Sequence, residues 1–223
     1  MITMNHQKIG IIHLVKNKSP SRAFLNLGIN MWFLIGSRAI KEIREDFYRD
    51  INNSDLDLYC SQEDFIKFMN ENHSVEKCFP LKKNKYRIKI KNKPIIELKL
   101  YDKDSVYEWL SQKEQALLIS EKTYDLHGIQ VKIPNLNCLK NIKKSHLYWP
   151  ISWLKNVDDY TWLKNNTRKD NHKERVFYQK IKNEMKNLHG YVNNGKLNHF
   201  NEDIIKNLQN EVLLNSDNDK KIV

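Results

Sequence analysis

The chain has three cysteines and no pair of them close together. Cys60, Cys78 and Cys138 show neither CxxC nor zinc-ligand spacing. They therefore read as reduced, buried thiols of a cytoplasmic protein rather than as a disulfide framework. No stretch approaches the roughly 20 apolar residues that cross a bilayer, so no membrane partner is expected. The run Ile9-Gly10-Ile11-Ile12 is too short for a signal-peptide core and lacks a small-residue cleavage site after it. His172, His189 and His199 lack metal-ligand spacing, no internal repeat is visible, and no recognisable RNA-binding module is present.

Positive charge is what the chain has in excess. Its 38 basic and 27 acidic residues give a formal charge of +11. Such a balance suits a polyanionic partner: RNA, tRNA among RNAs, DNA or a triphosphate. The composition is also rich in Lys, Asn and Ile, as AT-rich genomes encode, so both origins of the charge stand. At 40% apolar and 29% charged, the 223 residues suffice for one large domain or two small ones.

Two short segments carry the chemistry. Met31-Trp32-Phe33-Leu34-Ile35 reads as a buried strand, and Gly36-Ser37-Arg38-Ala39 closes it. Gly36 permits a tight turn and a close backbone approach. Ser37 and Arg38 add a hydroxyl, backbone N–H groups and a guanidinium fork, all suited to phosphate oxygens. In Ser54-Asp55-Leu56-Asp57-Leu58, strand alternation puts Asp55 and Asp57 on one face and both leucines on the other. Two adjacent carboxylates repel unless a cation lies between them, and Mg²⁺ favours such hard oxygen ligands.

At these residues the chain resembles the nucleotidyltransferase superfamily, the fold shared by DNA polymerase beta and poly(A) polymerases. The closest likeness is to the small antitoxin-type enzymes. The family pattern is a strand, Gly-Ser, a helix, then a strand bearing Asp-x-Asp, with a third carboxylate on a later strand. The gap between the two halves is longer here than in that subgroup. The resemblance covers roughly residues 20–145. It implies an α+β fold, with a mixed sheet flanked by helices and a helical C-terminal region.

It also implies metal-dependent transfer of an NMP from an NTP to an acceptor hydroxyl, with release of pyrophosphate. Mg²⁺ or Mn²⁺ would sit on Asp55, Asp57 and a third carboxylate. Glu97, in Ile95-Ile96-Glu97-Leu98-Lys99-Leu100, is the chosen third member, with Asp102 as its rival. Glu97 would be the ligand on the side of the attacking hydroxyl. Gly36, Ser37 and Arg38 would hold the β- and γ-phosphates. A lysine-bearing helix after the catalytic sheet holds the triphosphate in many family members, and Lys140, Lys143 and Lys144 occupy a comparable place. An ordinary solvated helix face is the alternative for these lysines. His146 among them would contact phosphate or transfer a proton, or be structural.

The domain reading is a catalytic domain over 1–134, a helical domain over 135–214 and a disordered tail over 215–223. Residues 1–30 read as a short strand and a helical turn begun at Ser19-Pro20-Ser21. Strands are expected at 31–36, 55–60, 75–79, 85–91 and 95–101, and helices at 39–51, 61–71 and 105–118. A hairpin is expected around Lys91-Asn92-Lys93-Pro94, and two more strands turning at Gly128. Beyond Pro134 come helices at 135–146, 167–188 and 201–214. The aromatic stretch Ser145-His146-Leu147-Tyr148-Trp149-Pro150-Ile151-Ser152-Trp153, followed by Tyr160 and Trp162, reads as core between two domains or as a base-stacking surface.

Two other functions remain open beside the transferase. One is a non-catalytic nucleic-acid- or protein-binding module on the same fold. The other is a synthase of an oligonucleotide or cyclic nucleotide signal. The acceptor (an RNA 3′ end, a protein hydroxyl or a small molecule), the NTP and the oligomeric state are left open by the sequence.

Overall fold

The computed structural model describes residues 31–52, 54–72, 74–82, 84–126, 128–147 and 154–189. The expected N-terminal strand and turn, Trp149 and Trp153, the helix at 201–214, His199 and the tail lie outside these residues.

Seven strands form one mixed sheet in the order β3-β4-β5-β2-β1-β7-β6. They are β1 (Trp32–Ile35), β2 (Leu56–Cys60), β3 (Val75–Lys82), β4 (Lys85–Ile90), β5 (Ile96–Leu100), β6 (Tyr124–Leu126) and β7 (Ile129–Lys132). β1 is buried along its whole length, as a short central strand of uninterrupted apolar residues should be. β2 and β5 alternate buried and half-buried residues, so each has a core face and a working face. β2 runs antiparallel to β1 and parallel to β5, and β1 runs parallel to β7. The β3–β4, β4–β5 and β6–β7 hairpins are antiparallel. Their turns use Asn84 (φ 59°), Asn92 (φ 57°) and Gly128 (φ 86°), residue types that tolerate the left-handed region.

The helices are α1 (Gly36–Ile43), α2 (Gln62–Glu71), α3 (Val106–Leu110), α4 (Leu136–His146), α5 (Leu154–Asn166) and α6 (His172–His189), with a 3-10 helix at Lys113–Leu118. Side chains cap several of them. Ser61 accepts from the Asp64 N–H, Ser105 from the Glu108 N–H and Asn135 from the Cys138 N–H. Asn171 and Glu174 form a reciprocal capping box at the start of α6.

α2 covers one face of the sheet, where Phe65 lies against Tyr86 and Phe68 against Trp32. On the other face Tyr107 of α3 stacks on Tyr59 and lies near Phe33, which are register partners on β2 and β1. One continuous core runs from Trp32 through the sheet to Phe177, Ile181 and Met185 of α6. It crosses residue 134 without a break.

Several elements differ from the sequence reading. The first helix begins at Gly36 and stops at Ile43, not at 39–51, because Arg44 turns extended and the chain enters an irregular loop. The helix expected at 105–118 is split: Ser111 hydrogen-bonds back to Tyr107 and Glu108, and a 3-10 helix follows. α5 occupies a region for which no helix was expected. The last long helix starts at His172 rather than Thr167, because the Asn171–Glu174 box fixes its first turn. Cys60 and Cys138 are buried, Cys78 is half-buried, and all three are free thiols. No helix among the described residues is long and apolar enough to cross a membrane.

Candidate functional site

The site lies where β1 ends, β2 begins and β5 runs alongside. α1 leaves β1 with no intervening residue, because Gly36 takes φ +78° and turns the chain. A β-carbon on Gly36 would lie 2.5 Å from Asp57 Oδ2. The glycine backbone is thus packed directly on that carboxylate, and any side chain there would have to displace it and adopt a strained backbone conformation. The first N–H groups of α1 have no side-chain cap, which leaves donors at the site for an anion.

Asp57 and Glu97 are register partners on the parallel strands β2 and β5. The same cross-strand row continues to Ile35 on one side, and to Arg87 and Phe79 on the other. Asp57 has no hydrogen bond or ion pair among the described residues. Burial pushes its carboxyl above the ordinary aspartate value, against the pull of Lys143 and with the Glu97 charge adding to the rise. Glu97 behaves in the opposite way. Burial works to raise it, but hydrogen bonds from Arg87 (2.5 Å to Oε1) and Lys85 (2.8 Å to Oε2) outweigh burial and hold it below the usual glutamate range.

Asp55 precedes β2 and is exposed. Asp102, the alternative to Glu97, is exposed beyond the far end of β5, where it accepts from Asn84 Nδ2 at 2.8 Å. No group of three or more His, Cys, Asp or Glu side chains is gathered around a common point among the described residues. Asp57 and Glu97 are brought together as neighbours, and Asp55, exposed just before β2, is close enough to act on the charge of Arg87.

Ser37 Oγ donates to Asp159 Oδ2 at 2.7 Å. Lys143 Nζ reaches the same oxygen at 2.9 Å. Tyr48 OH (3.0 Å) and Arg49 Nη2 (2.8 Å) meet the other oxygen. Asp159 is completely buried. Burial would raise its carboxyl, but the charge and hydrogen bond of Lys143, with Ser37 and Arg49, keep it below the ordinary value. Asp159 therefore ties α5, α4, the loop after α1 and Ser37 to one point. Arg38 turns away from this cluster, and its Nη2 donates to the carbonyls of Ile51 (2.8 Å) and Ser54 (3.3 Å). It braces the loop that leads into Asp55.

The lysines of α4 diverge. Lys143 is buried against Asp159 and Asn156. Lys140 pairs with Asp170 at 2.7 Å, and Lys144 lies over the Tyr178 ring, so this face of α4 looks toward α6 and the loop before it. His146 is half-buried at the end of α4.

Sequence reasoning did not find Asp159, Lys85 or Arg87. The last two had a partial signal, since alternation along the strand expected at 85–91 puts Lys85 and Arg87 on one face, but the register that sets Arg87 opposite Glu97 is read from the fold. Asp159 had none, because it stands 122 residues from Ser37.

An all-oxygen set suits Mg²⁺ or Mn²⁺. Asp57 is a carboxylate without a hydrogen bond or ion pair among the described residues, packed against the Gly36 backbone, which fits a cation. Glu97 would have to release Arg87 or Lys85 to share it.

No family model matches the chain, and no curated protein matches it. Among solved structures, it is similar to an antigenic nucleotidyltransferase-like protein from Paracoccidioides brasiliensis. That likeness has 12% identity and a TM-score of 0.44, over 70% of this chain and 79% of that one. It is also similar to the Megavirus polyadenylate synthase, with 18% identity and a TM-score of 0.39, over 63% of this chain and 30% of that one. Neither likeness bears on the antitoxin-type subgroup.

Proposed function

We propose that this protein is a nucleotidyltransferase. It would move a nucleoside monophosphate from an NTP to an acceptor hydroxyl. The observation that carries this reading is the packing of the Gly36 turn on Asp57, with Glu97 beside Asp57 in strand register. The turn into α1 would serve as the phosphate cradle and the two neighbouring carboxylates as the metal side of the same site.

In the reaction, the acceptor oxygen bonds to the α-phosphorus while the bond from that phosphorus to its bridging oxygen breaks. Pyrophosphate leaves with the electron pair, and the hydroxyl proton passes to the carboxylate pair. Mg²⁺ or Mn²⁺ on Asp57, with Asp55 or Glu97, would polarise the phosphoryl oxygen and acidify the acceptor hydroxyl. The uncapped N–H groups of α1 and the Ser37 hydroxyl would orient the triphosphate. Lys143, held in place by Asp159, would add positive charge near Asp57.

One observation favours the non-catalytic reading. Glu97 is already paired to Arg87 and Lys85, and Ser37 already donates to Asp159. The deciding experiment incubates the full chain with each labelled NTP, with divalent metal or EDTA, and with or without cellular RNA. Label on RNA, on protein or in a small product identifies the acceptor. No metal-dependent transfer under any condition would leave the binding module as the function.

A further inference from the structure

We infer that the open face of β3, β4 and β5 is the platform on which a single-stranded polynucleotide acceptor lies, with its end at Asp57. The inference rests on the transferase reading and names its acceptor class. On β1 and β2 this face is covered by Tyr107 of α3. Further out it is exposed, and its residues follow the strand register. One row runs Asp57, Glu97, Arg87, Phe79. A flanking row holds Lys99 opposite Lys85, and the other holds Lys89 opposite Lys77.

The face is basic. Lys85, Arg87 and Lys89 keep 39%, 46% and 58% of their side-chain surface in water, and Lys77 is exposed beside them. Among the described residues, Glu76 pairs with Lys89 at 3.1 Å. Phe79, on the edge strand opposite Arg87 and two residues from Lys77, has 45% of its surface exposed. A large apolar ring left in water amid lysines does nothing for the core, but it can stack on a base while its neighbours meet the flanking phosphates.

Three strand spacings separate Phe79 from Asp57, about 14 Å at roughly 4.8 Å each. A strand of nucleic acid stacked on Phe79 would therefore cross Arg87 and reach the carboxylates within a few nucleotides. Stacking requires splayed, unpaired bases, so a duplex does not fit this platform.

The test is fluorescence anisotropy of labelled single-stranded RNA, single-stranded DNA and duplex RNA with the full chain, without NTP. Binding is therefore read independently of transfer. Single strands should bind more tightly than duplex, and RNA against DNA identifies the sugar. Phe79→Ala should weaken single-strand binding roughly five- to a hundred-fold, and Phe79→Trp should restore it. Lys77→Gln with Lys89→Gln should reduce the slope of log K against log salt by about 1.4, from about 0.7 per phosphate contact. Circular-dichroism melts confirm that the variants fold. Unchanged affinity in Phe79→Ala, an unchanged slope, or equal duplex binding would overturn the platform. Transfer to a small or protein acceptor could then persist, so the transferase reading would survive that result.

Discussion

A methyl group on Gly36 would lie 2.5 Å from Asp57 Oδ2, closer than carbon and oxygen approach without a bond. Gly36 also sits at φ +78°, where an L-residue is strained. Gly36→Ala should therefore cost about 1–3 kcal/mol of stability and abolish transfer. Adding Asp57→Ala removes the clash but leaves the strain. Chemical denaturation should show the double variant recovering part of the loss, a coupling of about 0.5–3 kcal/mol. Additive losses would mean that the two residues do not touch.

Asp57→Asn should abolish transfer while preserving or raising stability in EDTA. The sign follows from the raised carboxyl. With its folded value above 3.8, Asp57 favours the folded state at low pH, and this contribution is lost as pH rises through the folded value. Wild type should therefore lose stability relative to Asp57→Asn as pH rises above the ordinary aspartate value. Mg²⁺ with NTP should raise the melting temperature of wild type and not of the variant. Parallel stability curves across pH would remove the account of burial.

Glu97 predicts the reverse slope. Its carboxyl is held below the ordinary 4.5, so its contribution is present above that value and is lost as pH falls below it. Glu97→Gln should flatten the acid limb of the stability curve in low salt. An acid limb identical to wild type would show that Arg87 and Lys85 do not hold the carboxylate in solution.

Asp159→Ala should cost about 3–5 kcal/mol, because it leaves the buried Lys143 charge unpaired. Ser37→Ala should cost far less stability and instead raise KM for NTP. A denaturation midpoint for Asp159→Ala within a few tenths molar of wild type would contradict the role of this residue in joining α5 to the site.

Replacing Lys140, Lys143 and Lys144 with Gln together should destabilise the chain, and Lys143→Gln alone should carry most of the loss. Lys143 is buried on Asp159, whereas the half-buried Lys140 and Lys144 reach Asp170 and Tyr178. Thermal melts of the three single variants rank them directly.

The local signals in the sequence were strong where a residue type meets a fixed backbone need. The uninterrupted apolar run at 32–35 has to be a buried strand. The alternation through 56–60 and 96–100 has to give one core face and one polar face. Gly36 and Gly128 both take positive φ, as a tight turn and a hairpin require. Alternation put Asp57 and Glu97 on the polar faces of their strands, and the parallel register that pairs them was set by the fold. The ends of the helices were less legible, because they depend on single backbone contacts. Arg44 leaves the helix to pair with Asp46, and the start of α6 is set by a carboxylate three residues on.

The sequence by itself determined the strands, the glycine turn and the carboxylates, since each depends on neighbours within a few residues. Only the tertiary structure decided their electrostatic state. It set Arg87 and Lys85 on Glu97, left Asp57 without a partner, and brought Asp159 across 122 residues to hold Ser37 and Lys143. It also decided which lysines are free to meet a ligand. Burial and pairing fix a charge's energy, and both are properties of chain packing that local periodicity does not contain.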